Sequence, residues 1–386
     1  MALSIKYRLR VVDACLLLLV VGTICYGSLA SMKPMLPGEV AYLAADRGPH
    51  GLRHEAVRRA FSSGYFGQWQ PLAWLSHELD YELYGSNLRA HRVTSLVLHL
   101  LNTMLLFVLF AAATGQKWRS LLAAGVFALH PLHLEAVTAP AGRGIVLGTL
   151  FVFLALFVYG SAANKPRIWH YSMLLLLFIA AVLASPAVIV FPFLLLLCDL
   201  WPLARLKFRG VSAERSSARG WVAVKGMKLR GLLTEKLPML LVAATLALFS
   251  ILASQQWYSN PLLAAPGWLR AALDTFGWLF LYLGRALWPF TISAFFAAPA
   301  AVLPFWQGAA ALLVLCAVSI TIAVKMWKYP ALFAGWFWFL ISLFPHLPLV
   351  RWGAPAGSDS AIYLPLTGLI AAAIWGLPEM ARRQQN

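Results

Sequence analysis

The feature that most limits what this chain can become is the recurrence of long apolar tracts. Eleven of them lie near 11–29, 93–113, 118–138, 145–162, 168–184, 187–203, 237–254, 268–289, 307–326, 330–349 and 361–378. About 20 apolar residues suffice to carry a helix across a bilayer. Backbone groups in lipid find no water, so only helices or closed barrels can cross. The tracts are continuous rather than alternating, which argues against a barrel. The expected fold class is all-α, a polytopic transmembrane helical bundle.

Charge then orients the bundle. The formal net charge of +17 would fit nucleic acid in a soluble protein, but no nucleic-acid-binding motif accompanies it. In a membrane chain, excess Lys and Arg mark cytoplasmic loops. Lys6, Arg8 and Arg10 place the N-terminus inside, and Arg382 with Arg383 place the C-terminus there too. Lys117 and Arg119, Lys165 and Arg167, and Lys325 and Lys328 mark inside turns. The strongest marker is 205–236, with nine basic residues against Glu214 and Glu235. Two termini inside require an even number of crossings, so one of the eleven tracts does not cross. Parity selects 268–289, which carries Arg270, Asp274 and Arg285 and runs into "WPFTISAFFAAPAAVLPF". The expectation is about 10 crossings plus one interfacial or re-entrant outer helix.

The resulting division is 1–30 for the first transmembrane helix, 31–92 for an outer loop, 93–204 for helices two to six, 205–236 for a basic cytoplasmic loop, 237–378 for the C-terminal membrane helices and 379–386 for a cytoplasmic tail. The first helix also imitates a secretory signal, although its length favours retention. The expected location is a bacterial inner membrane. Cys15, Cys25, Cys198 and Cys316 lie in apolar tracts without metal or disulfide spacing. In the outer loop, Trp69, Trp74, Leu75, Leu79 and Leu83 against Glu78, Asp80 and Glu82 predict amphipathic helices lying on the membrane.

Ionisable groups near lipid need a partner, a cavity or a role. In "VFALHPLHLEAVTAPAGRG", His130, His133 and Glu135 follow the end of an apolar helix, where they can lock that end, contact a ligand or hold a divalent metal. No further ligand spacing supports the metal. Arg143 stands between Gly142 and Gly144, small enough to let a phosphate approach its guanidinium; a snorkelling role is the alternative. Arg351, Arg270 and Arg285 are further outer cations. His99 and Asn102, one turn apart, read as an interhelical bond. Asp199 near Arg205 reads as an ion pair, as does Asp13 near Arg10. Asp359 with Tyr363 is an outer acid candidate.

Five stretches in order, "QWQPLAWLSHELDYELYG", "HRVTSLVLHLLNTMLLF", "FALHPLHLEAV", "FPFLLLLCDLWPLARL" and "IYLPLTGL", resemble the TMTC-type protein O-mannosyltransferase-like membrane proteins and their bacterial relatives, within the GT-C glycosyltransferase fold. The likeness runs from about Pro34 to Leu377, and "LHPLH" and "DLWPL" are its most specific parts. It implies a GT-C-like bundle that takes a sugar from a polyprenyl-phosphate donor to an acceptor outside the cytoplasm. Such chemistry needs a carboxylate base, a cationic or metal-assisted site for the leaving phosphate and a groove for the isoprenoid. Carried onto this sequence, Glu39 is the base, with Asp46 a weaker choice; Arg143 is the phosphate clamp, and His130 and His133 support the groove. The lipid-linked sugar and membrane lipids are the implied partners.

Departures favour a second reading. Where the family has an acidic pair, "PGEVAYL" leaves Glu39 alone, and where it has a Glu-Arg-Lys-Asp run, "AGRGIVL" keeps only Arg143. Ser185-Pro186 stands where the family has Lys-Pro, and "SDSAIYLPL" keeps Asp359 but has Ser360 in place of arginine. The family's tetratricopeptide repeats have no counterpart in this sequence. The alternative is therefore a catalytically inactive relative that serves as a membrane scaffold or accessory subunit with a protein partner. A transporter is third, since no inverted repeat is visible.

Overall fold

The computed structural model describes residues 10–28, 51–62, 68–163, 167–206, 228–258, 267–289, 304–350 and 358–384. Among these the regular structure is helical, and each of the eleven apolar tracts contains a helix. In order they are α1 (Val11–Gly27), α2 (His54–Ser62), α3 (Pro71–Tyr84), α4 (Leu88–Thr114), α5 (Lys117–Leu129), α6 (His133–Thr138), α7 (Arg143–Ala162), α8 (Ile168–Ala184), α9 (Phe191–Leu200), α10 (Leu229–Tyr258), α11 (Trp268–Leu287), α12 (Phe305–Val324), α13 (Pro330–Leu343) and α14 (Pro365–Ala371). A π-turn, Ala372–Gly376, joins α14 to α15 (Leu377–Gln384).

Local chemistry sets many of these boundaries. Proline opens α3, α13 and α14 at the first helical turn, where its missing N–H costs nothing. Gly115, at φ 69°, ends α4 in the left-handed conformation and donates to the Ala111 carbonyl at 3.0 Å. The break at His130-Pro131 separates α5 from α6, because a residue before proline is biased away from helix.

Four stretches, Leu88–Thr114, Pro140–Ala162, Leu229–Ala253 and Phe305–Val324, are long and apolar enough to cross a membrane. Shorter apolar helices are Val11–Gly27, Ile168–Ala184, Pro186–Leu200, Pro330–His346 and Pro365–Ala381. The third and fourth long stretches bury only 22% and 17% of their apolar windows. Outward-facing apolar surface on that scale belongs in lipid, and the chain is a membrane protein.

The central layer is α4, α7, α8, α9 and α13, whose inward faces, with that of α5, build one core around Phe127, Phe153, Phe178, Phe191 and Phe339. Helices α13 and α14 meet through Gly335 and Gly368; a Cβ on Gly335 would lie 2.7 Å from the Ala372 nitrogen. Small residues let membrane helices approach this closely.

Two expectations shift. Helix α10 begins at Leu229 rather than at 237, running through Glu235 and Lys236. Their charges are compensated: Lys236 donates to Asp199 at 2.7 Å, and Arg205 bonds both Asp199 at 2.9 Å and Glu235 at 2.8 Å. Tyr159 completes this buried knot, donating to Asp199 at 2.6 Å and accepting from Arg205 and Lys236. The Asp199–Arg205 pair read from the sequence is thus present, with three further members.

Helix α3 turns its polar side inward. His77, Glu78 and Asp80 are at most 3% exposed, while Leu79 and Leu83 are 45% and 60% exposed. Glu78 accepts from the Gly51 backbone N–H at 2.6 Å. Leu79 and Leu83 face away from the protein, whereas Trp74, Glu78 and Asp80 join the interior and Glu82 stays exposed.

Candidate functional site

Of the polar residues singled out by the sequence, His130, His133, Glu135, Arg143, Arg285 and Asp359 lie at the end of the bundle where α7 starts. Tyr159 and the Asp199 knot lie about 24 Å away along α7, by the 1.5 Å rise per residue. Two hydrogen-bonded groups occupy the first end.

One is built on α6 and the turn before α14. Glu135 accepts from the Ser358 hydroxyl at 2.5 Å and from the Asp359 backbone N–H at 2.7 Å. The Asp359 carboxylate is paired with Arg285 of α11 at 3.0 Å. Tyr282, one helical turn before Arg285, donates to the Ser358 carbonyl at 2.9 Å, and His130 reaches the Ala286 carbonyl at 3.2 Å. Glu135, Asp359, Arg285 and His130 are therefore brought together, although they come from three separate parts of the chain. Arg285 keeps 21% of its side chain exposed, which leaves a cation at the rim.

This first group continues, through His133 of α6 and Tyr363 after Asp359, into a buried tyrosine relay. His99 places Nε2 3.2 Å from the Ala128 carbonyl, which can only accept, so Nε2 carries the proton. Its Nδ1 therefore accepts from the Tyr363 hydroxyl at 2.8 Å. That hydroxyl in turn accepts from Asn102 at 3.2 Å, and Asn102 also donates to the Val146 carbonyl at 2.8 Å. His133 packs its ring 4.6 Å from Tyr363 and donates from Nδ1 to the Phe127 carbonyl at 2.7 Å. His130, His133 and Glu135 thus turn toward different partners, and no metal-ligating group forms from them among the described residues.

The second group centres on Arg143. It is 1% exposed and belongs to the first turn of α7 rather than to a loop. Its Nε donates to Ser95 at 2.8 Å, Nη1 to Ser76 at 2.8 Å, and Nη2 to Asp80 at 2.8 Å and to the His91 carbonyl at 2.5 Å. The glycines beside it serve helix packing instead of ligand approach. A Cβ on Gly142 would meet the Ala136 Cα at 2.6 Å, and one on Gly144 would meet the Ala184 carbonyl at 2.8 Å. Asp80 also accepts from Thr94 at 2.9 Å.

His77 places Nε2 3.2 Å from the Pro140 carbonyl, and burial first, then Arg143 and His91, hold its imidazole well below the ordinary histidine range. Thr138, one turn beyond Glu135 on α6, lines a small cavity here with His77, His91 and Arg143. Helix α6 thus touches both groups.

Glu39, Asp46 and Arg351 lie outside the described residues. Sequence reasoning missed His77, Asp80, His91 and the serine pair Ser76 and Ser95. The available signal was the spacing of His77 and Asp80, three apart and so on one helical face.

No family model matches the chain, and no solved structure does. Curated relatives match in part. The protein O-mannosyl-transferase Tmtc1 of Drosophila melanogaster is 30% identical over 144 residues, 37% of this chain and 17% of the relative. TMTC2 of Mus musculus is 33% identical over 97 residues, covering 25% and 12%. TMTC3 of Mus musculus is 32% identical over 98 residues, covering 25% and 10%. The matched stretches thus span less than a fifth of these relatives. Within them the chain is similar to protein O-mannosyl-transferases.

Proposed function

We propose that this protein is a GT-C-like membrane glycosyltransferase, with about ten crossings and both termini cytoplasmic, in a bacterial inner membrane. It takes a sugar from a polyprenyl-phosphate donor to an acceptor on the non-cytoplasmic side. The acceptor oxygen attacks the anomeric carbon and the carbon–oxygen bond to the lipid phosphate breaks. The phosphate leaves with the electron pair, and a carboxylate takes the acceptor's proton. Glu39 is the proposed base. The observation that carries this reading is the pairing of partial similarity to O-mannosyl-transferases with a charged rim, Arg285 and Asp359, above the His130 helix end. Arg285, with part of its side chain exposed, is better placed to meet the leaving phosphate than Arg143; Arg351 keeps its proposed role as a second outer cation.

One observation favours the alternative, a catalytically inactive scaffold or accessory subunit. The cation that resemblance assigns to the phosphate is already bound to Asp80, Ser76 and Ser95.

The deciding experiment is an in vitro transfer assay with polyprenyl-phosphate sugars on purified protein, wild type against Glu39→Gln and Arg285→Gln. Transfer lost in both variants supports the enzyme. Absence of transfer from wild type, together with a stably co-purifying membrane protein, supports the scaffold.

A further inference from the structure

His77, Asp80 and His91 place one ligand atom each within 4.8 Å of one another, and all three residues are buried. His77 and Asp80 share a face of α3, and His91 comes from the first turn of α4. Each imidazole has Nε2 3.2 Å from a backbone carbonyl, that of Pro140 for His77 and that of Gly85 for His91. A carbonyl only accepts, so Nε2 holds the proton and Nδ1 carries the lone pair. A carbonyl on the far nitrogen is the arrangement that orients metal-binding histidines.

The two acceptors also face each other. His91 Nδ1 lies 3.5 Å from Asp80 Oδ2. Such a contact is held either by a proton on Nδ1, which makes the ring an imidazolium, or by a metal cation that takes that proton's place. His77 and His91 line a cavity of about 10 Å³ together with Arg92, Ser95, Thr138 and Arg143, which has room for roughly one water-sized ligand.

We infer that His77, Asp80 and His91 bind one divalent transition-metal ion of the zinc class, with a water as fourth ligand, and that the ion fastens α3 to the start of α4. Zinc–ligand lengths of about 2.1 Å in a tetrahedron put ligand atoms ~3.4 Å apart, so the rings close inward as the ion enters. Arg143 already neutralises Asp80 at 2.8 Å, so the ion binds beside a fixed positive charge and with moderate affinity. This inference is independent of sugar transfer.

The test uses full-length protein in detergent, stripped with chelator and reloaded with Co²⁺ alone. The expected result is one cobalt per chain, with the absorption of a nitrogen- and oxygen-ligated ion. His77→Gln/His91→Gln is expected to lose that cobalt while eluting as wild type does, and His130→Gln to keep it. Wild type that takes up no cobalt overturns the inference, and so does cobalt retained in the double variant. If the double variant aggregates, wild type alone decides through X-ray absorption at the cobalt edge, which counts the imidazole ligands of the bound ion. Two imidazole ligands on the cobalt support the site, and cobalt without imidazole ligands overturns it.

Discussion

Arg143 Nη2 donates to the Asp80 carboxylate at 2.8 Å, with side chains 1% and 3% exposed. The two residues belong to α7 and α3, so this pair fixes the N-terminal amphipathic segment to the bundle. Removing one partner of such a pair leaves a buried charge alone, which costs about 3–5 kcal/mol. Asp80→Ala and Arg143→Ala should each lower the thermal unfolding midpoint in detergent markedly. The double variant should lose less than the sum of the two, and a fully additive result would show that they do not act as a pair.

Tyr363→Phe deletes the hydroxyl shared by His99 and Asn102 while keeping the ring. Leaving buried polar atoms unsatisfied costs about 1–3 kcal/mol. The expected outcome is a lower midpoint with unchanged helix content by circular dichroism. A midpoint equal to wild type would mean that the relay contributes nothing to stability.

At the other end, Asp199→Ala should be more damaging than Lys236→Ala. Asp199 compensates two cations, Arg205 and Lys236, whereas removing Lys236 leaves Asp199 with Arg205. The loss for Asp199→Ala is expected at the upper part of ~3–5 kcal/mol. Paired unfolding curves in one detergent read the order directly, and the reverse order would refute the accounting.

Two glycines give opposite expectations. Gly335→Ala forces a methyl against the Ala372 backbone, and overpacking of this kind costs roughly 1–3 kcal/mol. Gly125, in α5, has nothing within 4 Å of an added Cβ, so Gly125→Ala should stabilise by about 0.5–1 kcal/mol. Midpoints moving in the same direction for both would contradict the packing described at α13 and α14.

Each of the eleven apolar tracts holds a helix, as the sequence led one to expect, because uninterrupted apolar runs admit few structures in lipid. The direction each helix faces was not legible there. In water, apolar residues point inward, but lipid is as apolar as a core. Leu79 and Leu83 marked a membrane-facing side of α3, but nothing in the sequence showed that His77 and Asp80 on its other side turn into the protein. Arg143 was visible as an isolated cation, but its partners come from two other helices and share no local motif with it. The meeting of Glu135 with Ser358, across 223 residues, likewise lies beyond what spacing can reveal.

That last contact bears on biogenesis. While the ribosome is still making α13, the carboxylate of Glu135 and the imidazole of His99 wait in the membrane without the turn and tyrosine that later receive them. Translation of the segment from Ser358 to Tyr363 closes a circuit opened far upstream. A stop just before Ser358 would thus leave α1 to α13 made and their polar interior unsealed, a form that membrane quality-control proteases are suited to recognise.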